Sequence, residues 1–226
     1  MSVILAIDTS TQACSCALNR DGEISETFAV VPRQHAGKLL PMISDLLKSH
    51  GLSYENLDAV AYGQGPGSFT GLRIAAGVTQ GIAFGAGLPV IPVSTLASQV
   101  MQLRNAIDPG LVFSTLDARI DEVYYAFFRL DPQGIEAVGE AGLCKPEALP
   151  VPVPGNAECF AAVGSGLAYQ ERMPATYRDC FVYTDSEVHP RAGVMAELAA
   201  GMLAAGQTQL PEDVNPVYLR DKVTHG

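Results

Sequence analysis

Basic residues are scarce in this chain, and their scarcity narrows its role first. Fourteen lysines and arginines stand against twenty-four aspartates and glutamates, a net charge of −10 over 226 residues. The basic residues are scattered, whereas a protein that grips a phosphate backbone unaided carries a basic patch. If the chain serves nucleic-acid chemistry, a partner makes most of the contact. Several catalytic signatures are missing as well. There is no Gly-Lys-Ser/Thr to complete a Walker A loop and no HExxH zinc motif. Gly67-Ser68 and Gly164-Ser165-Gly166 lack the spacing of a GxSxG nucleophile elbow. The five cysteines (Cys14, Cys16, Cys144, Cys159, Cys180) are odd in number and contain no CxxC pair, so neither a disulfide framework nor a zinc ribbon is indicated, and reduced thiols are expected. The four histidines (His35, His50, His189, His225) are isolated from one another. Each is expected on the surface or at a helix end rather than on a metal. The apolar run at 81–93 is broken by Pro89 and Pro92 and is too short to span a bilayer. The apolar start lacks a signal peptide's basic flank and reads as a buried strand. A soluble, cytoplasmic protein is expected.

What is present centres on residues 62–87. Gly63-Gln64-Gly65-Pro66-Gly67-Ser68-Phe69-Thr70-Gly71 reads as a non-repetitive turn, followed by a helix-length segment at 72–85 with Ser68 or Thr70 as its cap. That helix carries Gly77, Gly81 and Gly85 at every fourth position, among Ala75, Ala76 and Ala83. A glycine costs about 1 kcal/mol in a helix interior, so the row makes sense where another backbone approaches closely, either inside the fold or across a subunit contact. Leu72, Val78 and Ile82 supply a larger apolar stripe.

Around this centre the chain alternates strands and helices. Strands are expected at 3–8, 14–19 and 22–30, with Asp21-Gly22 as a tight hairpin. Asp8-Thr9-Ser10-Thr11 at the end of the first strand is open to two readings, a phosphate loop or a polar turn that satisfies its own backbone. Residues 35–50 show a helical pattern with an unusually wide apolar face, and Pro41 is expected to delay or bend it. A brief strand at 59–62, a strand at 89–93 and a helix at 95–105 complete the first half. The second half begins in the same way, with strands at 111–115 and 122–130 around Asp117-Ala118-Arg119, so that an aspartate stands at the first strand turn of both halves. Asp117, Asp121 and Glu122 either bind a cation or, for Asp117 with Arg119, shape the hairpin. An extended Pro-rich connector follows at 149–155, then short strands at 161–166 and 181–184 and a last helix at 190–205. A lobe boundary is expected near 105, giving an N-terminal lobe at 1–105 and a smaller C-terminal lobe at 106–226. Two strand-rich halves with no complete catalytic set fit an interaction subunit at least as well as an enzyme.

Three stretches carry a resemblance: Ile4-Leu-Ala-Ile-Asp-Thr-Ser10, His35-Ala-Gly-Lys-Leu-Leu-Pro41 and Gly63-Gln-Gly-Pro-Gly-Ser-Phe-Thr-Gly-Leu-Arg-Ile74. With Asp117-Ala-Arg119 and Pro216-Val-Tyr-Leu-Arg220, the sequence resembles the bacterial TsaB (YeaZ) family over essentially its whole length. The resemblance implies an α/β protein of the actin-like ATPase (ASKHA, RNase H-like) fold, two lobes with mixed sheets flanked by helices. It also implies a non-catalytic scaffold in the machinery that places threonylcarbamoyl on N6 of adenosine 37 of ANN-decoding tRNAs. The partners implied are TsaD, the ATPase TsaE, and a second copy of the chain when it is isolated. The catalytic paralogue TsaD carries two metal-ligating histidines, and the aligned positions here are Thr95 and Gln99, poor substitutes for imidazole. No catalytic or metal residue is therefore assigned, and a metallopeptidase is disfavoured. The implied partner contact uses the two N-terminal-lobe helices, for which the candidates are Leu39, Leu40, Ile43, Leu46, Leu47, Leu72, Ala76, Gly77, Gln80, Gly81 and Phe84. The alternative is a small ATP-binding phosphotransferase or ATPase with Asp8, Thr9, Ser10, Asp117, Gly164 and Gly166 as candidate nucleotide contacts. On the first reading no cofactor is bound by this chain alone, and ATP or ADP would sit at an interface of the complex.

Overall fold

The computed structural model describes residues 2–108, 110–152 and 159–220. The chain forms two compact units, the first made of residues 1–98 with 190–217 and the second of residues 99–189 with 218–226.

In the first unit, β1 (Val3–Asp8), β2 (Ala13–Arg20), β3 (Glu23–Val30), β4 (Ala59–Gly65) and β5 (Val90–Ser94) form a mixed sheet in the order β3-β2-β1-β4-β5. The β2–β3 hairpin turns on Asp21 and Gly22, both with positive φ, as the Asp-Gly pair requires. β1 is antiparallel to β2 and parallel to β4. Both faces of the sheet are covered. On one, α1 (His35–Ser49) and α2 (Phe69–Ala86) bury Leu39, Ile43, Leu46, Leu47, Ala75, Ala76 and Ala83 against Leu5, Ile7, Cys14, Cys16, Val60 and Tyr62. On the other lies α5 (Ala192–Ala204), after α3 (Thr95–Met101) and α4 (Ala175–Arg178) in chain order. Its contact is made of small side chains, Ala192, Ala196 and Ala199 with Met195, against Ala6, Ala17, Ala59 and Ala61, so helix and sheet backbones come close. Fully burying one such large aliphatic side chain as Leu39 or Ile43 stabilises the fold by roughly 1.5–3 kcal/mol.

In the second unit, β6 (Gly110–Arg119), β7 (Glu122–Asp131), β8 (Gly134–Cys144), β9 (Phe160–Val163) and β10 (Phe181–Asp185) are ordered β10-β9-β6-β7-β8. β6 is antiparallel to β7, β7 antiparallel to β8, and β9 parallel to both β6 and β10. Read outward from β6, this is the plan of the first sheet read outward from β1. The halves thus share strand order and sense, the likeness first suggested by an aspartate at the first strand turn of each. The core here is aromatic: Phe113 stacks edge-on against Tyr177 at 5.1 Å, and Phe127 against Phe160 at 5.5 Å.

Four expectations change. The lobes do not divide at 105, because α5 buries its alanines on the first sheet and returns 190–217 to the first unit. α1 runs from His35 straight through Pro41, which stands on the helix's exposed side, where water can serve the carbonyl left unpaired at Gly37. β4 continues to Gly65, ahead of a cis Gly65–Pro66 peptide, where a turn from Gly63 was expected. β8 and the 3-10 segment Ser165–Arg172 were not foreseen. Of the connector expected over 149–155, residues 153–155 lie outside the described residues.

Candidate functional site

The end of β1 meets the glycine-rich turn in a tightly interlocked cluster. Asp8, Thr9 and Ser10 are all at most 1% exposed. Asp8 Oδ2 accepts from the Ser10 N–H (3.2 Å) and the Ser10 hydroxyl (3.0 Å), while Oδ1 is buried with no partner. Burial, relieved only in part by the Ser10 hydrogen bonds, pushes the Asp8 pKa up from 3.8 to about 7. Thr9 donates its hydroxyl to the Gly71 carbonyl (2.7 Å), and the Ser68 N–H donates to the Ser10 carbonyl (2.7 Å). The turn's glycines are there for close approach. A β-carbon on Gly63 would collide with Asp8 Oδ1, one on Gly71 with the Thr9 carbonyl, and one on Gly67 would lie 2.5 Å from the Ser10 carbonyl. The turn is therefore packed onto the β1–β2 loop, and the polar turn of Asp8-Thr9-Ser10 serves its own surroundings.

The second unit treats Asp117 similarly. Arg119, Ile120 and Asp121 all have positive φ, the left-handed region that costs non-glycine residues energy. Asp117 holds that hairpin: Oδ1 accepts from the Arg119 N–H (2.8 Å) and the Tyr169 hydroxyl (3.3 Å), and Oδ2 pairs with the Arg119 guanidinium (3.1 Å). Of the two readings left open by the sequence, hairpin shaping is the one with geometry behind it. Arg172 ties Asp121 (3.0 Å) to the same region. Gly166 gives way to Thr115 Oγ1 and Gly164, at φ +102°, to the Thr115 carbonyl and Gln99, so both glycines are explained by packing. Among the described residues no group of three or more His, Cys, Asp or Glu could hold a metal ion.

Thr95 and Gln99, one turn apart on α3, are fully buried and engaged with their own surroundings. Thr95 donates to the Pro66 carbonyl. Gln99 donates to the Val188 carbonyl (2.6 Å) and accepts from the Ser114 hydroxyl (2.9 Å). His50 caps the end of α1, its ring 2.9 Å from the Leu46 carbonyl, as expected of a helix-end histidine. His35 is buried and meets the Ala13 carbonyl at 3.1 Å.

The outward sides of α1 and α2 lie free of the core. A β-carbon added at Gly77, Gly81 or Gly85 would meet nothing within 4 Å, so these glycines do not pack against the protein's own sheet. Phe84 is 76% exposed beside them, and Leu40 on α1 is 48% exposed. Gln80 also faces outward and donates to the Pro211 carbonyl (3.0 Å). The structure thus divides the eleven candidate contact residues. Leu39, Ile43, Leu46, Leu47, Leu72 and Ala76 are at most 7% exposed and are spent on the core, whereas Leu40, Gly77, Gln80, Gly81 and Phe84 are accessible.

One residue pair escaped the sequence reading altogether. Glu26 on β3 receives both Nε and Nη2 of Arg191 (2.9 and 2.7 Å) and the Gly193 N–H (3.0 Å), which fixes the start of α5 on the sheet. A separation of 165 positions between the partners leaves no local signal to find.

Two mixed sheets of one plan, flanked by helices, with an aspartate at the end of the leading strand, define an actin-like protein of the ASKHA class. A family model described as "TsaD: tRNA N6-adenosine threonylcarbamoyltransferase" matches residues 19–217. The chain is 40% identical to the tRNA threonylcarbamoyladenosine biosynthesis protein TsaB of Escherichia coli (strain K12), over 97% of this chain and 95% of that one. It is 37% identical to TsaB of Haemophilus influenzae, over 98% and 94%. The solved structure of YeaZ from Pseudomonas aeruginosa superposes with a TM-score of 0.90 at 40% identity, covering 97% of this chain and all of that one. The chain belongs to the TsaB (YeaZ) family of tRNA threonylcarbamoyladenosine biosynthesis proteins.

Proposed function

We propose that this chain is a non-catalytic assembly subunit of the cytoplasmic machinery that transfers threonylcarbamoyl to N6 of adenosine 37 in ANN-decoding tRNAs. It pairs with TsaD through the outward side of α1 and α2, with TsaE joining the assembly, and pairs with itself when TsaD is absent. The tRNA is held mainly by other subunits, in keeping with the net charge of −10. Any ATP or ADP would be held where subunits meet rather than by this chain alone.

The observation that carries this reading is the row of Gly77, Gly81 and Gly85 open to solvent beside an exposed Phe84. Three interior glycines weaken a helix by about 1 kcal/mol each relative to alanine, and among the described residues none uses the space they leave. A second helix laid against that row would. The family supports this reading, since the Escherichia coli and Haemophilus influenzae relatives are named for threonylcarbamoyladenosine biosynthesis. None of the described helices is long and apolar enough to cross a membrane.

Light scattering of the chain alone and mixed with its cognate TsaD tests the pairing. The variants to compare are Leu40→Asp and Phe84→Asp, since charge at Leu39 or Ile43 would strike the core. A heterodimer that both substitutions abolish, with folding intact, is the expected result. A chain indifferent to TsaD, or a heterodimer untouched by either charge, would set the reading aside.

A further inference from the structure

β9 and β10 run parallel at the edge of the second sheet, and a cysteine stands immediately before each. Phe160 pairs with Phe181, and the Phe160 N–H donates to the Cys180 carbonyl (2.9 Å). The next register position outward therefore matches Cys159 with Cys180. Neighbouring strands lie about 4.8 Å apart, inside the roughly 4.4–6.8 Å Cα separation that a disulfide bridges without backbone movement. The Cys159 side chain lies close enough to act on the Cys180 thiol and raise its pKa. Cys159 is exposed and Cys180 half-buried, so an oxidant reaches the pair from solvent.

We propose that Cys159 and Cys180 form a peroxide-sensitive dithiol that closes reversibly to an intramolecular disulfide, fastening edge strand β10 to β9. The exposed Cys159, as thiolate, attacks a peroxide oxygen. The O–O bond breaks, one oxygen leaves as hydroxide and takes a proton to become water, and Cys159 is left as a sulfenic acid. The Cys180 sulfur then attacks the Cys159 sulfur, the S–O bond breaks, and the second oxygen leaves as water with the Cys180 proton. Two thiols and one peroxide give one disulfide and two waters, the two electrons passing from sulfur to oxygen. A low-molecular-weight dithiol reverses the step by exchange.

The roles divide by environment. Partial burial and the Cys159 neighbour hold the Cys180 thiol above its usual range, which suits the resolving partner rather than the first attacker. The remaining thiols are poor competitors. Cys14 and Cys16 are fully buried, and burial pushes them up to about 11 and about 12. Cys144 is pushed up to about 11 by burial and by Glu122. Transient, redox-sensing disulfides of this kind are the sort found in reducing compartments.

The test treats the full chain with a small molar excess of hydrogen peroxide, blocks free thiols, and maps peptides without reduction. One linked pair, Cys159 with Cys180, is expected, reversible by dithiothreitol, with a raised thermal midpoint for the oxidised chain. Cys180→Ser should leave Cys159 as a sulfenic acid trapped by dimedone, and Cys159→Ser should leave Cys180 as a free thiol at the same dose. The linked peptide from the unmodified chain stands on its own if either variant fails to fold. A wild-type chain that yields only Cys159 sulfinic acid, or only disulfides between two chains, would overturn the proposal.

Discussion

The carboxylate of Asp8 occupies the space that a β-carbon on residue 63 would need. Gly63, inside β4, leaves that space open, and Asp8 Oδ1 fills it without a hydrogen-bond partner. A strand glycine of this kind marks the close approach of another group rather than a flexible point.

Gly63→Ala should therefore destabilise the chain by about 1–3 kcal/mol, the range for overpacking a close-packed interior. The check is a double-mutant cycle in urea unfolding. Asp8→Gly should recover much of the loss caused by Gly63→Ala, because it removes the atom struck. Simple additivity of the two changes would contradict the contact.

Asp8 also sets a pH dependence. Its folded pKa, about 7, stands above the ordinary 3.8, so between those values the folded chain retains a proton that the unfolded chain releases. Stability from this group is complete below about pH 4 and declines as pH rises through 7, by on the order of 4 kcal/mol. Asp8→Asn, which cannot ionise, should flatten that slope and be the more stable protein at pH 8. Unfolding curves of both proteins from pH 4.5 to 8 decide the matter; parallel profiles would show that Asp8 ionises in the folded state as readily as in water.

The glycine row offers a separation of folding from association. Gly77→Ala and Gly81→Ala meet open space, so each should raise monomer stability by about 0.5–1 kcal/mol through helix propensity. Gly77→Leu should fold equally well but fail to pair, as read by sedimentation. Loss of folding in the leucine variant would mean the row faces the protein's own interior.

Glu26 and Arg191 join β3 to the start of α5. Removing the carboxylate in Glu26→Ala leaves the guanidinium and the Gly193 N–H without their acceptor, and a loss of roughly 2–3 kcal/mol is expected. Arg191 is partly exposed, its side chain 41% accessible, so Arg191→Ala should cost less. Equal and small effects, under about 0.5 kcal/mol, would show the pair to be ornamental to the fold.

Local chemistry made much of this fold readable. Apolar runs and turn residues placed β1, β2 and β3, Asp21-Gly22 placed the β2–β3 hairpin, and Ser68 before a helical run placed the start of α2, where the Ser68 hydroxyl accepts from the Gly71 N–H. β8 was missed because glycines 134, 139 and 142 and the pairs Glu136-Ala137 and Glu140-Ala141 dilute its strand character; its pairing with β7 supplies what propensity does not. The interface candidates show a different limit. Periodicity revealed that α1 is apolar over a wide arc, but only packing decides that Leu39, Ile43, Leu46 and Leu47 turn inward while Leu40 stays out. The same holds for α5, whose alanines look indifferent in sequence and return the segment 190–217 to the first unit. Gly63 was seen as part of a turn; that it makes room for Asp8 is a contact between strands, with no trace in either segment alone.

The most direct test of the assembly role is the threonylcarbamoyladenosine content of an ANN-decoding tRNA. The nucleoside is quantified by mass spectrometry after incubation with TsaD, TsaE, ATP and the threonylcarbamoyl donor, with and without this chain. Modification that requires the chain, and that falls at least tenfold with Leu40→Asp or Phe84→Asp while both variants remain folded, is the predicted result. Full modification in its absence would contradict the account.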